Sequence, residues 1–279
     1  MIELPESHAL AACMNEAVRG KVIEEVTAGL TPHRFAFFYG NKEDYPALLE
    51  GKTIGESRAW GGGYLETDAG DAVIRFNDGV NVRYYEAGAK LPAKHQMYIG
   101  FEDGSCIVCT IQMYGGISVS RAGEDQNPYY LTARRKPSPL TDAFDEAYFL
   151  RMYEEAKNKK KNMSAKAFLA TEQRIPGLGN GVLQDILFEA GLHPKARLEN
   201  LTDEDLDSLY RSIKRVLLRM TQQGGRDTEK TLFGQYGGYM TILSKKTLEE
   251  PCPVCGGMIS RQAYLGGNVY FCPRCQEMK

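Results

Sequence analysis

Two Cys-x-x-Cys pairs near the end of the chain constrain its fold more than any other feature. Cys252-Pro-Val-Cys255 is followed by sixteen residues and then by Cys272-Pro-Arg-Cys275. Pairs of this kind bring four thiolates to tetrahedral positions about 2.3 Å from a zinc ion and leave no position open for water. We therefore expect one structural zinc ion. The segment between the pairs predicts a two-stranded hairpin around Gly266-Gly267, and metal ligation worth about 10–16 kcal/mol would hold so small a unit together.

The other cysteines indicate neither a second metal site nor disulfides. Cys106 and Cys109 repeat the Cys-x-x-Cys spacing, but they lie in a strand-like run, where residues three apart point to opposite faces. We interpret them as buried thiols. Together with Cys13 they make the total seven, and an odd total is not typical of a secreted disulfide scaffold.

Length and composition indicate a globular protein of two or more domains. A chain of 279 residues is near the length at which single cores stop growing. Hydrophobic residues make up 43% and charged residues 25%, and no apolar run reaches the ~18 residues that a membrane span requires. We expect no membrane association. The N-terminus lacks the pattern of a secretory signal, which favours the cytoplasm.

The charge is unevenly distributed along the chain. The net charge is −2, yet residues 151 to 279 carry 20 Lys and Arg against 15 Asp and Glu, and residues 1 to 150 carry 14 against 21. Binding to DNA depends on neutralising phosphates, so the C-terminal half is the expected contact surface. The alternative explanation is that this difference in charge is ordinary variation between two solvent-exposed surfaces.

Hydrophobic periodicity changes along the first half of the chain. Leu10, Cys13, Met14 and Val18 recur at helical spacing, which predicts an N-terminal helix. Short β-branched and aromatic runs follow up to about residue 120: Asp71 to Phe76, Val80 to Tyr85, Gln96 to Phe101 and Cys106 to Met113. Because Asp78-Gly79 and Asp103-Gly104 are typical of hairpin corners, we expect consecutive strands to pair antiparallel. This series of short strand-like runs predicts a β-sandwich or a flattened barrel.

The second half is predicted to be helical. Residues 121 to 141 are polar and contain Pro128, Pro137 and Pro139, which predicts a domain linker because proline blocks helix continuation. A helix is expected from about Thr202 to Gln223, with Thr202 and Asp205 placed to cap it.

A glycine-rich turn, Arg174-Ile-Pro-Gly-Leu-Gly-Asn-Gly181, precedes a further helical pattern. An Asn N-cap at such a turn exposes backbone N–H groups at a helix start, and this geometry receives phosphate. Capping alone is the alternative interpretation.

Several motifs occur together in one order along the chain. They are Met1-Ile-Glu-Leu-Pro-Glu6, Pro137-Ser-Pro-Leu-Thr-Asp-Ala-Phe144, Gly177-Leu-Gly-Asn180, Ala190-Gly-Leu-His-Pro194, Gln222-Gln-Gly-Gly225 and the four-cysteine ribbon. This order resembles the formamidopyrimidine-DNA glycosylase / endonuclease VIII family. The resemblance implies an α+β, multidomain fold: an N-terminal helix plus β-sandwich domain (1–135), a helix-two-turn-helix domain (136–245) and a zinc finger (246–279). It also implies a monomer that holds damaged or abasic duplex DNA in the cleft between the domains.

The resemblance also assigns roles to residues. Lys166 and Asn180, with Gly179 beside them, match residues that grip the phosphates flanking an extruded nucleotide. Glu3 matches the carboxylate that transfers protons beside the sugar, and Glu6 a structural support. His193 matches a packing residue at a helix end.

The chain departs from the family in parts that concern chemistry. Ile2 stands where the family has the proline whose amine attacks the sugar. A bulky isoleucine is expected to leave Met1 in place, so the reactive amine, if any, is that of Met1; an α-amino group of pKa about 7.7–8.0 is partly neutral at pH 7. Gly267 stands where the ribbon has an arginine, and Ala59-Trp-Gly-Gly-Gly63 contains no counterpart of a family lysine. Met113 and Tyr114 stand in the wedge loop, where they fill the gap left by an extruded base or belong to the sandwich core.

Two functions follow. The first is a DNA glycosylase or abasic-site lyase of altered mechanism, which uses Glu3 with water or with the Met1 amine. The second is a catalytically silent protein that binds damaged or distorted DNA or structured RNA. A protein-interaction module on the same fold is a third interpretation.

Overall fold

The computed structural model describes residues 2–60, 63–111 and 113–279. Helices and strands are mixed in the first half, and helices dominate the second half up to a terminal hairpin. The helices are α1 (Leu4–Ala17), α2 (Tyr45–Leu49), α3 (Pro128–Arg135), α4 (Glu146–Lys159), α5 (Ala165–Ala170), α6 (Leu183–Glu189) and α7 (Asp203–Gln222). The strands are β1 (Ile23–Ala28), β2 (Ala36–Tyr39), β3 (Ile54–Trp60), β4 (Tyr64–Ala69), β5 (Ala72–Phe76), β6 (Val80–Tyr85), β7 (Met97–Phe101), β8 (Cys106–Ile111), β9 (Gly115–Arg121), β10 (Ser260–Tyr264) and β11 (Gly267–Phe271). The predicted α+β class is confirmed.

Two sheets form the N-terminal half. One has the order β1-β7-β8-β6 and the other β2-β9-β5-β4-β3. The strands pair antiparallel except β2 with β9, which is parallel. Buried side chains of both sheets, such as Val82 and Phe76, belong to one apolar core that α1 also joins. The arrangement is a β-sandwich rather than a barrel.

The two Asp-Gly corners have different structures. Asp103-Gly104 joins β7 to β8, which pair antiparallel as predicted. Asp78-Gly79 joins β5 to β6, which lie in different sheets, so the predicted pairing is wrong there. Gly79 has φ +86°, and a Cβ on it would lie 1.6 Å from the carbonyl oxygen of Tyr114. The turn is therefore a corner between the sheets, packed against the loop that follows β8.

The predicted linker contains a helix. The Asn127 side chain accepts a hydrogen bond from Tyr129 N at 3.0 Å, and Pro128 begins α3, where the missing N–H of a proline costs nothing. Tyr130 donates to Glu66, which also accepts from Arg75 Nε at 3.0 Å. The helix packs on the sandwich through this buried cluster, and the prediction that Pro128 excludes helix is wrong.

The helical half has its own core, separate from that of the sandwich. The apolar faces of α4, α5, α6 and α7 meet in it. Helix α7 confirms its prediction: Asp205 N donates to Thr202 Oγ1 at 3.3 Å, and Thr202 N donates to the Asp205 carboxylate at 3.0 Å. Within the described ranges, none of the helices is both long and apolar enough to cross a membrane.

Candidate active site and nucleic-acid interface

Glu3 lies buried where α1 meets the glycine-rich turn. Its Oε1 accepts a hydrogen bond from Gly181 N and its Oε2 one from Val182 N, both at 2.8 Å. A Cβ on Gly179 would lie 2.7 Å from Glu3 Cδ, so only glycine fits beside the carboxylate. Burial raises the pKa of Glu3, the charge of Arg226 lowers it, the Glu6 carboxylate raises it and the two N–H donors lower it; the net direction is upward.

These contacts overturn the predicted cap of α6. Asn180 does not cap the helix: α6 begins at Leu183, its N-cap is Val182, and this cap makes no side-chain hydrogen bond. The Asn180 amide instead donates to Asn268 O at 3.0 Å, in the terminal hairpin. The backbone N–H groups that were expected to receive phosphate are occupied by Glu3, whose carboxylate is the anion at this helix start.

Glu6 forms a buried ion pair with Arg226, a residue that no motif in the sequence indicates. Arg226 donates from Nε to Glu6 Oε1 and from Nη2 to Glu6 Oε2, each at 2.9 Å. The same guanidinium lies 3.7 Å from Glu3 Oε1. All three side chains are buried. A sequence cannot easily reveal this pair, because 220 positions separate its members.

The position of the family proline is part of the core. Ile2 is only 4% exposed, and a Cβ on Gly63 would lie 2.4 Å from its carbonyl oxygen. Leu4 N donates to Gly177 O at 2.8 Å, which fixes the start of α1 against the helical half. Met1, Gly61, Gly62 and Gln112 lie outside the described residues, so the expectation about the Met1 amine is not addressed.

A cavity of about 310 Å³ opens above Glu3 between the sandwich and the helical half. Four tyrosines from the sandwich and α3 contribute to its wall, together with two polar residues of the corner after β5. The lining residues are Ile2, Glu3, Tyr39, Tyr64, Asn77, Asp78, Tyr114, Tyr129, Ala170, Gln173, Gly177, Leu178 and Gly179. Aromatic walls with a few polar groups are typical of sites that hold a flat ligand.

Lys166 and Asn180 flank the turn of the terminal hairpin. Lys166 Nζ donates to Tyr264 O at 2.6 Å, and a Cβ on Gly267 would lie 3.2 Å from Asn180 Nδ2. Lys166, Asn180 and Gly267, which stands at the position of the ribbon arginine in the family, therefore lie around the same hairpin turn. Lys166 is buried, and burial lowers its pKa.

The loop between β8 and β9 is exposed at its tip. Met113 is 70% exposed and Tyr114 42%, so the alternative that both belong to the sandwich core is wrong. Tyr114 OH donates to Asp78 Oδ2 at 2.9 Å. The ring is thereby held at the wall of the cavity.

The four cysteines of the ribbon converge as predicted. Cys252 Sγ lies 3.8 Å from Cys275 Sγ, and Cys255 Sγ lies 3.4 Å from Cys272 Sγ. All four sulfur atoms lie within 4.8 Å of one another, and tetrahedral ligation at about 2.3 Å requires separations of about 3.8 Å. The residues fit one structural zinc ion. Cys106 and Cys109 are both buried, as predicted.

Other buried polar residues connect the ribbon to the helical half. Gln184 accepts from Tyr270 N at 3.0 Å and donates to Asn268 O at 3.1 Å. His193 packs its ring 4.3 Å from that of Phe271, which confirms a packing role. Gln184 belongs to no sequence motif, so the sequence does not predict its role in connecting the ribbon to the helical half.

These features define a class: a β-sandwich joined to a helical domain and a four-cysteine zinc finger, with a carboxylate at the cleft. Comparison with family models agrees. Residues 136–231 match the model "Formamidopyrimidine-DNA glycosylase H2TH domain". Residues 249–277 match "Zinc finger found in FPG and IleRS".

Relatives extend the match over the whole chain. The chain is 25% identical to the formamidopyrimidine-DNA glycosylase of Actinobacillus pleuropneumoniae, over 100% of this chain and 99% of the relative. It is 26% identical to that of Bacillus subtilis, over 100% of both. The structure resembles the MutM (Fpg) protein of Thermus thermophilus with a TM-score of 0.81, 24% identity and 99% coverage of both chains. It resembles the Fpg of Lactococcus lactis in complex with abasic-site DNA with a TM-score of 0.82, 24% identity and 99% coverage of both. Over its whole length the chain is thus similar to formamidopyrimidine-DNA glycosylases, and it contains an H2TH domain and a zinc finger of the kinds found in them.

Proposed function

We propose that this protein binds damaged or abasic duplex DNA and releases the damaged base, as a DNA glycosylase and abasic-site lyase of altered mechanism. One observation carries the proposal: a buried carboxylate, Glu3, lies at the bottom of a base-sized cavity in the cleft between the domains. The relatives are formamidopyrimidine-DNA glycosylases, and a similar fold holds abasic-site DNA in Lactococcus lactis.

The charges around Glu3 suit the proposed reaction. Glu3 and Glu6 face one guanidinium, that of Arg226. With both carboxylates ionised, the buried cluster has one negative charge in excess. Loss of a base leaves positive charge on the sugar, and fixed negative charge in a buried site stabilises such a charge far more than it would in water. Glu3 would thus stabilise the sugar while water, or the Met1 amine, attacks it.

Lys166 and Asn180 would hold the phosphate next to the extruded nucleotide. In the described part of the chain, Lys166 has no carboxylate partner and one hydrogen-bond acceptor, Tyr264 O. The Oδ1 atom of Asn180 is buried without a partner among the described residues. A buried ammonium without a counterion is costly, and a phosphate would supply that counterion. We assign the neighbouring Gly179 to the same interface and Met113 and Tyr114 to the gap left by the base.

The catalytically silent alternative rests on Ile2. An amide nitrogen at this position is not a nucleophile, and the side chain is packed in the core. A protein that keeps the cleft and the finger but releases no base would fit this observation.

Borohydride trapping on abasic-site DNA separates the two functions. The enzyme is expected to form a covalent adduct through an amine or, if water is the nucleophile, to release bases without an adduct. Glu3→Gln should reduce base release and leave folding intact, because an amide oxygen still accepts one N–H. Intact-mass measurement of the N-terminus identifies which amine is present. Absence of both adduct and base release across a panel of lesions would leave only the binding function.

The remaining organisation is proposed on the same basis. We divide the chain into domains 1–135, 136–245 and 246–279. Three apolar clusters support this division: that of the sandwich, which Leu232 also joins, that of the helical half, and that of the finger, which includes Phe188 and Leu243. We propose a monomer that acts in the cytoplasm, where reducing conditions keep zinc-binding thiols available.

A further inference from the structure

The corner after β5 places a second carboxyl group in the wall of the cavity that contains Glu3. Asp78 follows the last residue of β5 by two positions and lines the cavity together with Glu3. Family resemblance gives this residue no role. Its position follows from the unpredicted crossing between the two sheets.

The corner is held rigidly. Asn77 N donates to Gly116 O at 3.0 Å, and Gly116 N donates to Asn77 Oδ1 at 2.6 Å. Gly79 and Gly115 pack so closely that a Cβ on Gly115 would lie 3.0 Å from the Gly79 carbonyl carbon. Asp78 is therefore fixed relative to the cavity rather than carried on a free loop.

The two oxygens of Asp78 have different surroundings. Oδ2 accepts a hydrogen bond from Tyr114 OH at 2.9 Å. Oδ1 is shielded from solvent and has no partner among the described residues. A buried oxygen without a donor is destabilising for a carboxylate but not for a carboxylic acid whose proton it carries. The geometry thus favours the neutral form of Asp78.

The electrostatic environment agrees. Burial raises the pKa of Asp78, and the charge of Glu229, from the segment after α7, raises it further. The hydrogen bond from Tyr114, the charge of the amino terminus and the Gly79 N–H lower it, and the net direction is upward. Burial raises the pKa of Glu3 as well, but a guanidinium and two N–H donors face its carboxylate and stabilise the ionised form. Two carboxyl groups in one cavity with such different partners are typical of an acid and base pair.

We propose that Asp78 is the catalytic acid that protonates the departing base, while ionised Glu3 acts on the sugar. The inference rests on the proposed glycosylase function. As the bond from C1′ to the base nitrogen breaks, its electron pair goes to the base, and the base takes up the proton of the Asp78 carboxyl group. Water adds its oxygen to C1′ and loses a proton to solvent, and Asp78 regains a proton from solvent.

The test is single-turnover base release by Asp78→Asn, on duplexes that carry a formamidopyrimidine or an oxidised pyrimidine. An amide can accept the Tyr114 hydrogen bond but cannot transfer a proton, so the rate should fall by about 10²-fold or more. Cleavage at a preformed abasic site, where no base departs, should stay within a few-fold of wild type. Asp103→Asn is the matched control, since it makes the same change at an exposed Asp-Gly corner and should change neither rate.

The outcomes distinguish this inference from the proposed function. Base release by wild type and an equal rate for Asp78→Asn would overturn the inference alone. Equal losses of base release, abasic-site cleavage and affinity for abasic-analogue DNA would also overturn it, because they indicate a structural role. If wild type releases no base, both the proposed function and this inference are wrong.

A second variant keeps the carboxyl group in place. Base release by wild type should decrease as pH rises through the pKa of Asp78, because the acid form is lost. Tyr114→Phe removes a hydrogen bond that lowers this pKa, so the midpoint should move to higher pH. Among the described residues, Tyr114 and Glu229 act on the Asp78 carboxyl group, and Glu3, Tyr39, Tyr64 and Tyr129 are the other titratable groups that line the same cavity. A midpoint that Tyr114→Phe leaves unchanged would overturn the assignment.

Discussion

Replacement of Arg226 by methionine tests the electrostatic centre of the site. The guanidinium makes two hydrogen bonds of 2.9 Å to Glu6 and lies 3.7 Å from Glu3. The side chains of Arg226 and Glu6 are 3% and 7% exposed, so neither is strongly solvated. Methionine keeps most of the volume and removes the charge.

The expected loss of stability is large. Removing one partner of a buried ion pair costs about 3–5 kcal/mol, because a buried charge is left without compensation. Here two carboxylates lose the same cation, so we expect the upper part of that range. At about 2–4 °C per kcal/mol for a chain of this size, Tm should fall by roughly 8–20 °C.

The loss should depend on pH. Burial raises the pKa of Glu6, but Arg226 outweighs burial and the net pKa is lowered. In wild type the pair therefore contributes stability above the unfolded-state pKa of about 4.3, and this contribution is lost as pH falls through the lower folded-state pKa. In Arg226→Met the buried carboxylates lose their counterion, and their pKa values rise. The loss of stability relative to wild type should therefore be greatest at neutral pH and decrease towards pH 5.

The assay is thermal and urea unfolding, followed by circular dichroism and by the fluorescence of Trp60, the sole tryptophan. Arg211→Met is the matched control: Arg211 lies on α7, is 70% exposed and pairs with Asp207, and such pairs contribute about 0–1 kcal/mol. A deficit for Arg226→Met of less than about 1 kcal/mol, or one independent of pH, would refute the reasoning.

Three further predictions concern the finger, the phosphate contacts and the corner. Metal analysis should find one zinc per chain, and chelation should unfold the finger and abolish DNA binding; binding that survives complete metal removal would contradict its role. Lys166→Ala should weaken binding to all DNA sequences alike and reduce by about 1 the slope of log binding constant against log salt concentration. Gly267→Arg should make the same slope steeper by about 0.9. Fluorescence anisotropy at several salt concentrations measures both changes. Gly79→Ala should destabilise the sandwich by more than about 1 kcal/mol in urea unfolding, because φ is +86° and the new Cβ would collide with Tyr114 O; a neutral result would mean that the corner can relax.

Local patterns in the sequence predicted the elements that local forces determine. The spacing of the ribbon cysteines predicted their convergence, because the chemistry of tetrahedral zinc fixes that spacing. Helix α7 was predicted almost to the residue, since its capping box and apolar stripe both lie within the helix. Resemblance supplied Glu3, Lys166 and Asn180, and the structure brings each to the cleft or the hairpin turn.

Long-range contacts explain what the sequence did not predict. The cap of α6 is a carboxylate 178 positions away from Gly181, so Asn180 was assigned a role that Glu3 fills. An Asp-Gly pair indicates a tight corner but not which sheet the next strand joins, and β6 joins the other one. Pro128 predicts a break in helical structure, but proline is favoured in the first turn of a helix, and Asn127 caps α3.

The charge balance of the buried cluster connects these corrections to function. Replacing a buried ion pair by apolar residues often stabilises a protein, so a cluster with two carboxylates and one guanidinium is a poor solution for stability alone. With both carboxylates ionised, the excess negative charge would be least costly when a positive charge forms beside it, and the proposed loss of a base produces such a charge on the sugar. This complementarity does not depend on the residue that replaces the family proline. Under the proposed function, a change of nucleophile would therefore alter one route for the reaction while the electrostatic part of the site remains.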